Sequence, residues 1–92
     1  MTDKTMDVWE AIIDDPTERE SCRIKSRIMM IIEQHIKKQG LTQQEAAEKM
    51  GVTQPRVSDL TRGKFGKFTI DTLIDMLSAL GLQIEMKLKN AA

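Results

Sequence analysis

Aromatic residues are scarce in this 92-residue chain, which contains one Trp, two Phe and no Tyr. Seven Met, together with many Ile and Leu, must therefore fill the core, and this composition favours helices over sheets. A single cysteine, Cys22, cannot form an intramolecular disulfide, which fits a reducing cytoplasm. No apolar run approaches the ~18 residues that span a bilayer, and no signal-peptide pattern is present. We therefore expect a cytoplasmic protein without a membrane partner.

Residues that commonly build active sites are also rare. His35 is the only histidine, and neither a cysteine nor a second histidine lies at ligand spacing from it, so we expect no metal site. The sequence has no glycine-rich phosphate loop and no obvious pair of catalytic carboxylates. We expect no catalytic residues and no cofactor, and we predict that the protein is not an enzyme.

The net charge is zero, but the charges are unevenly distributed. Residues 1–20 hold seven acids and two bases, a sum of −5, so the rest of the chain carries +5. A protein that binds DNA needs a local basic face and not a basic total. The chain is long enough for one small domain, and the charge distribution leaves DNA binding open to its basic part.

The stretch 41–63, LTQQEAAEKMGVTQPRVSDLTRG, predicts two short helices joined by a tight turn. Ala47 is small, which suits the point where the second helix must pack closely. Gly51 suits a turn residue with a left-handed backbone. Val57 and Leu60 then face the first helix at i, i+3 spacing. This spacing of Ala, Gly, Val and Leu is typical of a helix-turn-helix.

Signals for the helix ends agree with this interpretation. Thr42 and Glu45 form a capping-box pattern at the start of the first helix. Thr53 is a second N-cap candidate, and Pro55 follows in the first turn, where a missing N–H costs little. Gly63 is placed to end the second helix. An ordinary helical hairpin needs fewer of these features, so we place a helix-turn-helix at 42–62.

A long helix is predicted before the motif. Asp15, Pro16 and Glu18 are typical of a helix start, and the helix should run to about Gln39, with Gly40 as its stop. Its apolar positions form one stripe of isoleucines, at Ile24, Ile28, Ile31, Ile32 and Ile36.

Residues 64–68, KFGKF, form a basic loop after the motif. We expect Phe65 and Phe68 to anchor this loop on the core, which leaves Lys64 and Lys67 pointing outward. Aromatic residues interleaved with lysine also suit base stacking on single strands. Beside a helix-turn-helix, we favour core anchoring and phosphate contact.

The end of the chain changes its periodicity. Thr69 can cap a last helix that ends at Gly81 and has apolar residues at Ile70, Leu73, Ile74, Leu77 and Leu80. Alternation then predicts a half-buried strand with Leu82, Ile84, Met86 and Leu88 on one face. No second convincing strand is present, so we expect antiparallel pairing with the same strand of a second subunit. A helical extension or a frayed tail is the alternative.

The motif resembles the DNA-binding motif of the Cro repressor class, also called the XRE family. The stretch QPRVSDLTRGKFGKFTIDTLIDMLSALG, followed by a short strand, is similar to compact XRE proteins that serve as HigA-type antitoxins. The resemblance implies an all-α, lambda-repressor-like bundle of about five helices, with a C-terminal strand that pairs across a dimer. The expected organisation is an acidic segment at 1–14, a helical DNA-binding domain at 15–81, a strand at 82–89 and a tail at 90–92.

A helix-turn-helix lays its second helix in the major groove of DNA. Gln can read adenine and Arg can read guanine, whereas Pro55 suits apolar contact with a thymine methyl. Asp59 could accept a hydrogen bond from cytosine, or pair with Arg56 or Arg62. We expect base contacts from Gln54, Arg56, Ser58 and Asp59. We expect phosphate contacts from Thr53, Arg62, Lys64, Lys67 and Gln43, the last of which the family resemblance also implies.

The resemblance implies a transcriptional regulator, an antitoxin that autoregulates its operon. Its partners would be a second copy of the chain, an inverted-repeat operator in double-stranded DNA, and a small basic ribonuclease toxin. Residues 7–13 could form a short helix that either completes the core or binds such a partner through Val8, Trp9 and Ile12. The alternatives are a stand-alone repressor without a toxin and a protein-interaction module that has lost DNA binding.

Overall fold

Helices account for most of the fold. The structure, a computed structural model, describes residues 16–90, which contain four α-helices and one short 3-10 helix. The helices are α1 (Pro16–Lys38), α2 (Gln43–Met50), α3 (Gln54–Thr61) and α4 (Ile70–Ala79), and the 3-10 helix covers Phe65–Lys67. The long helix α1 packs against α3, α4 and the 3-10 helix, while α2 packs against α3 and α4. This arrangement confirms the mainly helical fold.

The core lies where these helices meet. Among the described residues, the five largest side chains that are almost completely enclosed come from α1, α3, α4 and the loop before α4. They are Phe68, Ile32, Leu60, Leu73 and Val57. No polar or charged residue is buried among the described residues. Burial of apolar surface therefore holds the domain together, with about 25 cal/mol gained per Å² removed from water.

The apolar stripe of α1 is only partly the buried face. Ile28, Ile32 and Ile36 are buried as the stripe predicts, but Ile24 and Ile31 remain exposed. Met29 is buried in addition. For Ile31 the reason is geometric, because each residue of an α-helix advances by about 100° and Ile31 therefore lies well round the helix from Ile32.

The helix boundaries follow the signals in the sequence. The helix α1 ends at Lys38, and Gly40 behind it has a φ of 68°. Before α4, Thr69 and Thr72 form a reciprocal capping box in which each hydroxyl accepts the other residue's backbone N–H. Capping of this kind satisfies amide groups that a helix leaves without partners in its first turn.

Two predicted elements are not confirmed. The short helix at 7–13, which would bring the number to five, lies outside the described residues, as does the predicted cap Asp15. Residues 82–90 carry neither helix nor strand. Leu82 is half-buried and donates its N–H to the carbonyl of Leu77 at 3.0 Å, whereas the apolar residues beyond it are exposed. A strand is defined by its hydrogen-bonded partner, and the described part of the chain provides none here. No helix in residues 16–90 is both long and apolar enough to cross a bilayer.

Candidate nucleic-acid interface

The turn between α2 and α3 fixes the geometry of the site. Gly51 ends α2 with φ 70° and ψ 31°, the left-handed conformation predicted for it. Val52 then donates its N–H to the carbonyl of Ala47 at 3.0 Å, which closes the turn. Ala47 is buried against α3, whose Val57 and Leu60 are also buried. The close approach of the two helices thus depends on the small side chain and on the glycine.

Both helices of the motif are capped as predicted. Thr42 accepts the N–H of Glu45 at 3.1 Å, and the Glu45 carboxylate accepts the N–H of Thr42 at 2.8 Å. Thr53 accepts the N–H of Arg56 at 3.4 Å, and Pro55 lies in the first turn of α3. These contacts fix where each helix starts, and therefore which side chains the second helix presents outward.

The outward face of α3 carries residues that were predicted to contact DNA. Gln54 and Pro55 at its N-terminal end are exposed, Ser58 is half-buried, and Arg62 just beyond its end is exposed. Thr53, which caps the helix, is exposed as well. Polar groups at the start of a second motif helix are the ones that reach base edges when the helix enters the major groove. This surface can therefore offer amide and hydroxyl groups to bases, with a guanidinium beside them.

Arg56 is held by the loop that follows α3. Its guanidinium donates a hydrogen bond to the carbonyl of Lys67 at 2.8 Å and lies 4.4 Å from the centre of the Phe68 ring. Phe68 itself is 1% exposed. A cation over an aromatic face is attracted by the ring's quadrupole, so this contact joins α3 to a fixed point of the core.

Asp59, for which a base contact or an ion pair with Arg56 or Arg62 was expected, pairs with two lysines of the loop. Its carboxylate lies 3.8 Å from the ammonium of Lys64 and 3.6 Å from that of Lys67. Sequence spacing suggested Arg56 or Arg62 instead, because they are three residues away on the same helix. The loop folds back over α3 and brings its two lysines nearer. Their side chains remain 44% and 57% exposed, so both can also meet a ligand from solvent.

Gln43 lies at the start of α2, where it contacts α3. Its side-chain amide donates to the hydroxyl of Thr61 at 3.5 Å, a long hydrogen bond, and Thr61 donates in turn to the carbonyl of Ser58 at 3.0 Å. Gln43 is half-buried and belongs to the first turn of its helix, where free amide groups favour an anion. The structure thus places the predicted phosphate-binding glutamine beside the second helix of the motif.

The comparison with known families agrees with this geometry. A family model described as a helix-turn-helix domain matches residues 12–89. The chain belongs to this helix-turn-helix family. No curated protein matches the chain closely. Membership supports a DNA-binding transcriptional regulator, and the capped motif, with its tight turn and polar outer face, is the structural basis of that function.

The remaining predicted sites of this helix-turn-helix protein lie outside the motif in the sequence. Val8, Trp9 and Ile12, predicted to bind a partner, lie outside the described residues. Of the residues predicted for a dimer strand, Ile84, Met86 and Leu88 are exposed, the last at 88%. No group of three or more potential metal-binding side chains forms within residues 16–90.

Two contributors to the site were missed from the sequence. Thr61 touches Gln43 although 18 positions separate them. Phe68 was predicted to anchor the loop, but its stacking with Arg56 was not foreseen. No local spacing signals either contact, because each depends on how α2 and the loop pack against α3.

Proposed function

We propose that this protein is a sequence-specific DNA-binding regulator that serves as the antitoxin of a toxin–antitoxin pair and represses its own operon. The observation that carries DNA binding is the combination of an exposed polar face on α3 with a basic loop held beside it. Gln54 and Ser58 would read bases, while Arg62, Lys64 and Lys67 would contact phosphates. Such a protein requires neither metal nor cofactor, is not an enzyme, and works in the compartment that holds the DNA.

The experiment is a salt-titrated binding assay on the DNA upstream of the protein's own reading frame, with random duplex as competitor. We expect binding that survives the competitor and weakens steeply with salt, because each neutralised phosphate releases counterions. Equal and weak binding to both DNAs would instead favour the protein-interaction module. Lys64→Ala should weaken binding to all sequences alike and lower the salt slope by about one.

The C-terminal segment supports a dimer. Its exposed Ile84, Met86 and Leu88 alternate with polar residues, and a second copy could cover them while completing a strand pair. A two-fold dimer would match two half-sites about 34 Å apart, or a multiple of that. Truncation after Leu82 removes these residues but keeps the contact of Leu82 with α4. We expect the truncated protein to be monomeric by sedimentation, and persistence of the dimer would contradict the pairing.

The antitoxin role rests on the family resemblance and on charge. Residues 1–20 carry a sum of −5 and the only Trp of the chain, which suits a small basic ribonuclease as partner. The probe is the protein encoded by the neighbouring reading frame, mixed with the full chain and with a variant lacking residues 1–14. We expect the full chain to bind and the shortened one to lose affinity. No binding by the full chain would leave a stand-alone repressor as the better assignment.

A further inference from the structure

The loop 64–68 packs against α3, and a side chain of α3 contacts it directly. Arg56 reaches the loop through two groups, the Lys67 carbonyl at 2.8 Å and the Phe68 ring at 4.4 Å. Other contacts also anchor the loop, because Lys64 donates its N–H to the carbonyl of Asp59 at 3.1 Å and Phe68 is buried in the core. Its backbone hydrogen bonds include Lys67 N–H to the Lys64 carbonyl and Phe68 N–H to the Phe65 carbonyl. Arg56 therefore connects α3 to the part of the loop that carries Lys67.

This geometry matters for the role of Arg56 in DNA binding. To read guanine, the guanidinium would direct two donors at one base edge, in a planar, two-pronged contact. In the folded protein it lies over a buried ring and donates to a backbone carbonyl, and the residue is half-buried. A two-pronged contact that used Nη1 would require it to give up the Lys67 carbonyl, which would then lose this donor.

Asp59 has the opposite charge and faces the same loop. Its half-buried carboxylate lies between the ammonium groups of Lys64 and Lys67, 3.8 Å and 3.6 Å away. Ion pairs as long and as exposed as these contribute little to stability, so another anion can replace the carboxylate. A DNA phosphate offers both lysines the same charge, and its binding also releases counterions.

We propose that Arg56 is a positioning residue that holds loop 64–68 in place for phosphate contact and does not read a base, and that Asp59 occupies the two loop lysines until phosphates replace it. The inference rests on the proposed DNA-binding function. It reassigns two of the four expected base contacts and leaves direct readout to the N-terminal part of α3, at Gln54, Pro55 and Ser58.

The first test compares base-preference profiles, measured by binding to a set of duplexes that differ from the operator at single positions. Arg56→Lys keeps the charge but removes the planar stacked donor, and Gln54→Ala serves as the base-reading control. We expect Arg56→Lys to weaken binding to every duplex by about tenfold and to lower the salt slope by about one or two, because the loop lysines lose their positions. Loss of preference at one base pair, as expected for Gln54→Ala, would overturn the assignment.

The second test needs no DNA. Amide hydrogen exchange of the Lys67 and Phe68 N–H groups reports the order of the loop, and the amide of Ile32 in α1 serves as an internal control for global stability. We expect Arg56→Lys to speed exchange at the two loop amides by about tenfold or more while Ile32 is unchanged. Unchanged loop exchange would show that Arg56 does not hold the loop, even if the wild-type protein proved unable to bind DNA.

The third test is Asp59→Asn, which keeps the size of the side chain and removes its charge. We expect binding to random duplex to tighten by about three- to tenfold and the ratio of operator to random affinity to fall. A change of preference at a single C·G position, with random binding unaffected, would show that Asp59 reads cytosine. Failure of the wild-type protein to bind any duplex would defeat the proposed function. Wild-type binding with variants that depart from these expectations would defeat only this inference.

Discussion

The helix-turn-helix at 42–62 and the C-terminal segment at 82–89 are equally well patterned in the sequence, but only the first is complete within one chain. In the motif, every expected local partner is present, from the Thr42 capping box to the left-handed Gly51. In the C-terminal segment, Leu82 contacts the core and the alternating apolar residues beyond it are exposed. The difference lies in where the partners of each segment are found.

This comparison shows how far a periodic pattern can be trusted. A helix satisfies its backbone groups internally, so an amphipathic pattern with good caps needs only one apolar neighbour. A strand leaves its N–H and C=O groups to another strand. The alternation of residues 82–89 therefore predicts a requirement for a partner, and it predicts a strand only if that partner is present.

The largest expected effect is a difference in stability between two leucine-to-alanine substitutions, one in each region. Leu60→Ala empties a nearly enclosed position of the motif and should lower the free energy of unfolding by about 2–5 kcal/mol. Leu88→Ala removes the same atoms from a side chain that is 88% exposed and should change it by less than about 0.5 kcal/mol. Urea denaturation at low protein concentration, where a dimer would dissociate, measures both.

The same two variants also test for a dimer when their stability is measured at increasing protein concentration. If residues 82–89 pair between subunits, the stability of wild-type protein should rise with concentration, and Leu88→Ala should reduce that rise. A large loss of stability for Leu88→Ala at low concentration would contradict the exposure of this residue, because it would require a contact within one chain.

A smaller effect is expected at the turn of the motif. Gly51→Ala should destabilise the fold by about 1 kcal/mol, because its φ of 70° strains any side chain although an added methyl group would touch nothing. Gly66 in the 3-10 helix is the matched control, since its φ is not positive and its surroundings are equally open. Gly66→Ala should be neutral or stabilise by up to about 1 kcal/mol. Thermal unfolding of both variants distinguishes backbone strain from loss of packing, and equal losses would argue against the strain.

The smallest effect is expected at an exposed ion pair in the N-terminal half of α1. Arg23 donates two hydrogen bonds to Glu20, at 2.6 Å and 3.1 Å, and this interaction lowers the pKa of Glu20. The stabilisation is therefore present above the ordinary carboxyl pKa and is lost as the pH falls through the lowered value. Arg23→Ala should bring the pKa of Glu20 back towards its ordinary value in an NMR titration. At neutral pH it should cost about 0.5 kcal/mol or less, because both side chains are well exposed. An unchanged pKa would show that the pair does not form in solution.

The sequence by itself determined the elements whose partners are close along the chain. Thr42 with Glu45, Thr53 with the start of α3, and Gly51 at the turn were all predicted, because caps and left-handed turns involve residues within three or four positions. The burial of Val57 and Leu60 followed from the helical period. These features were enough to identify the motif and the face of α3 that points away from the core.

Only the tertiary structure decided which side chains on that face make contacts within the protein. Arg56 was expected to contact a base, and the structure places its guanidinium against the Phe68 ring and the Lys67 carbonyl. Asp59 was expected to contact a base or to pair with Arg56 or Arg62, and its carboxylate meets the two loop lysines. Contacts of this kind depend on how a loop packs across a helix, here with Phe68 buried in the shared core, and the spacing of residues within α3 does not predict them.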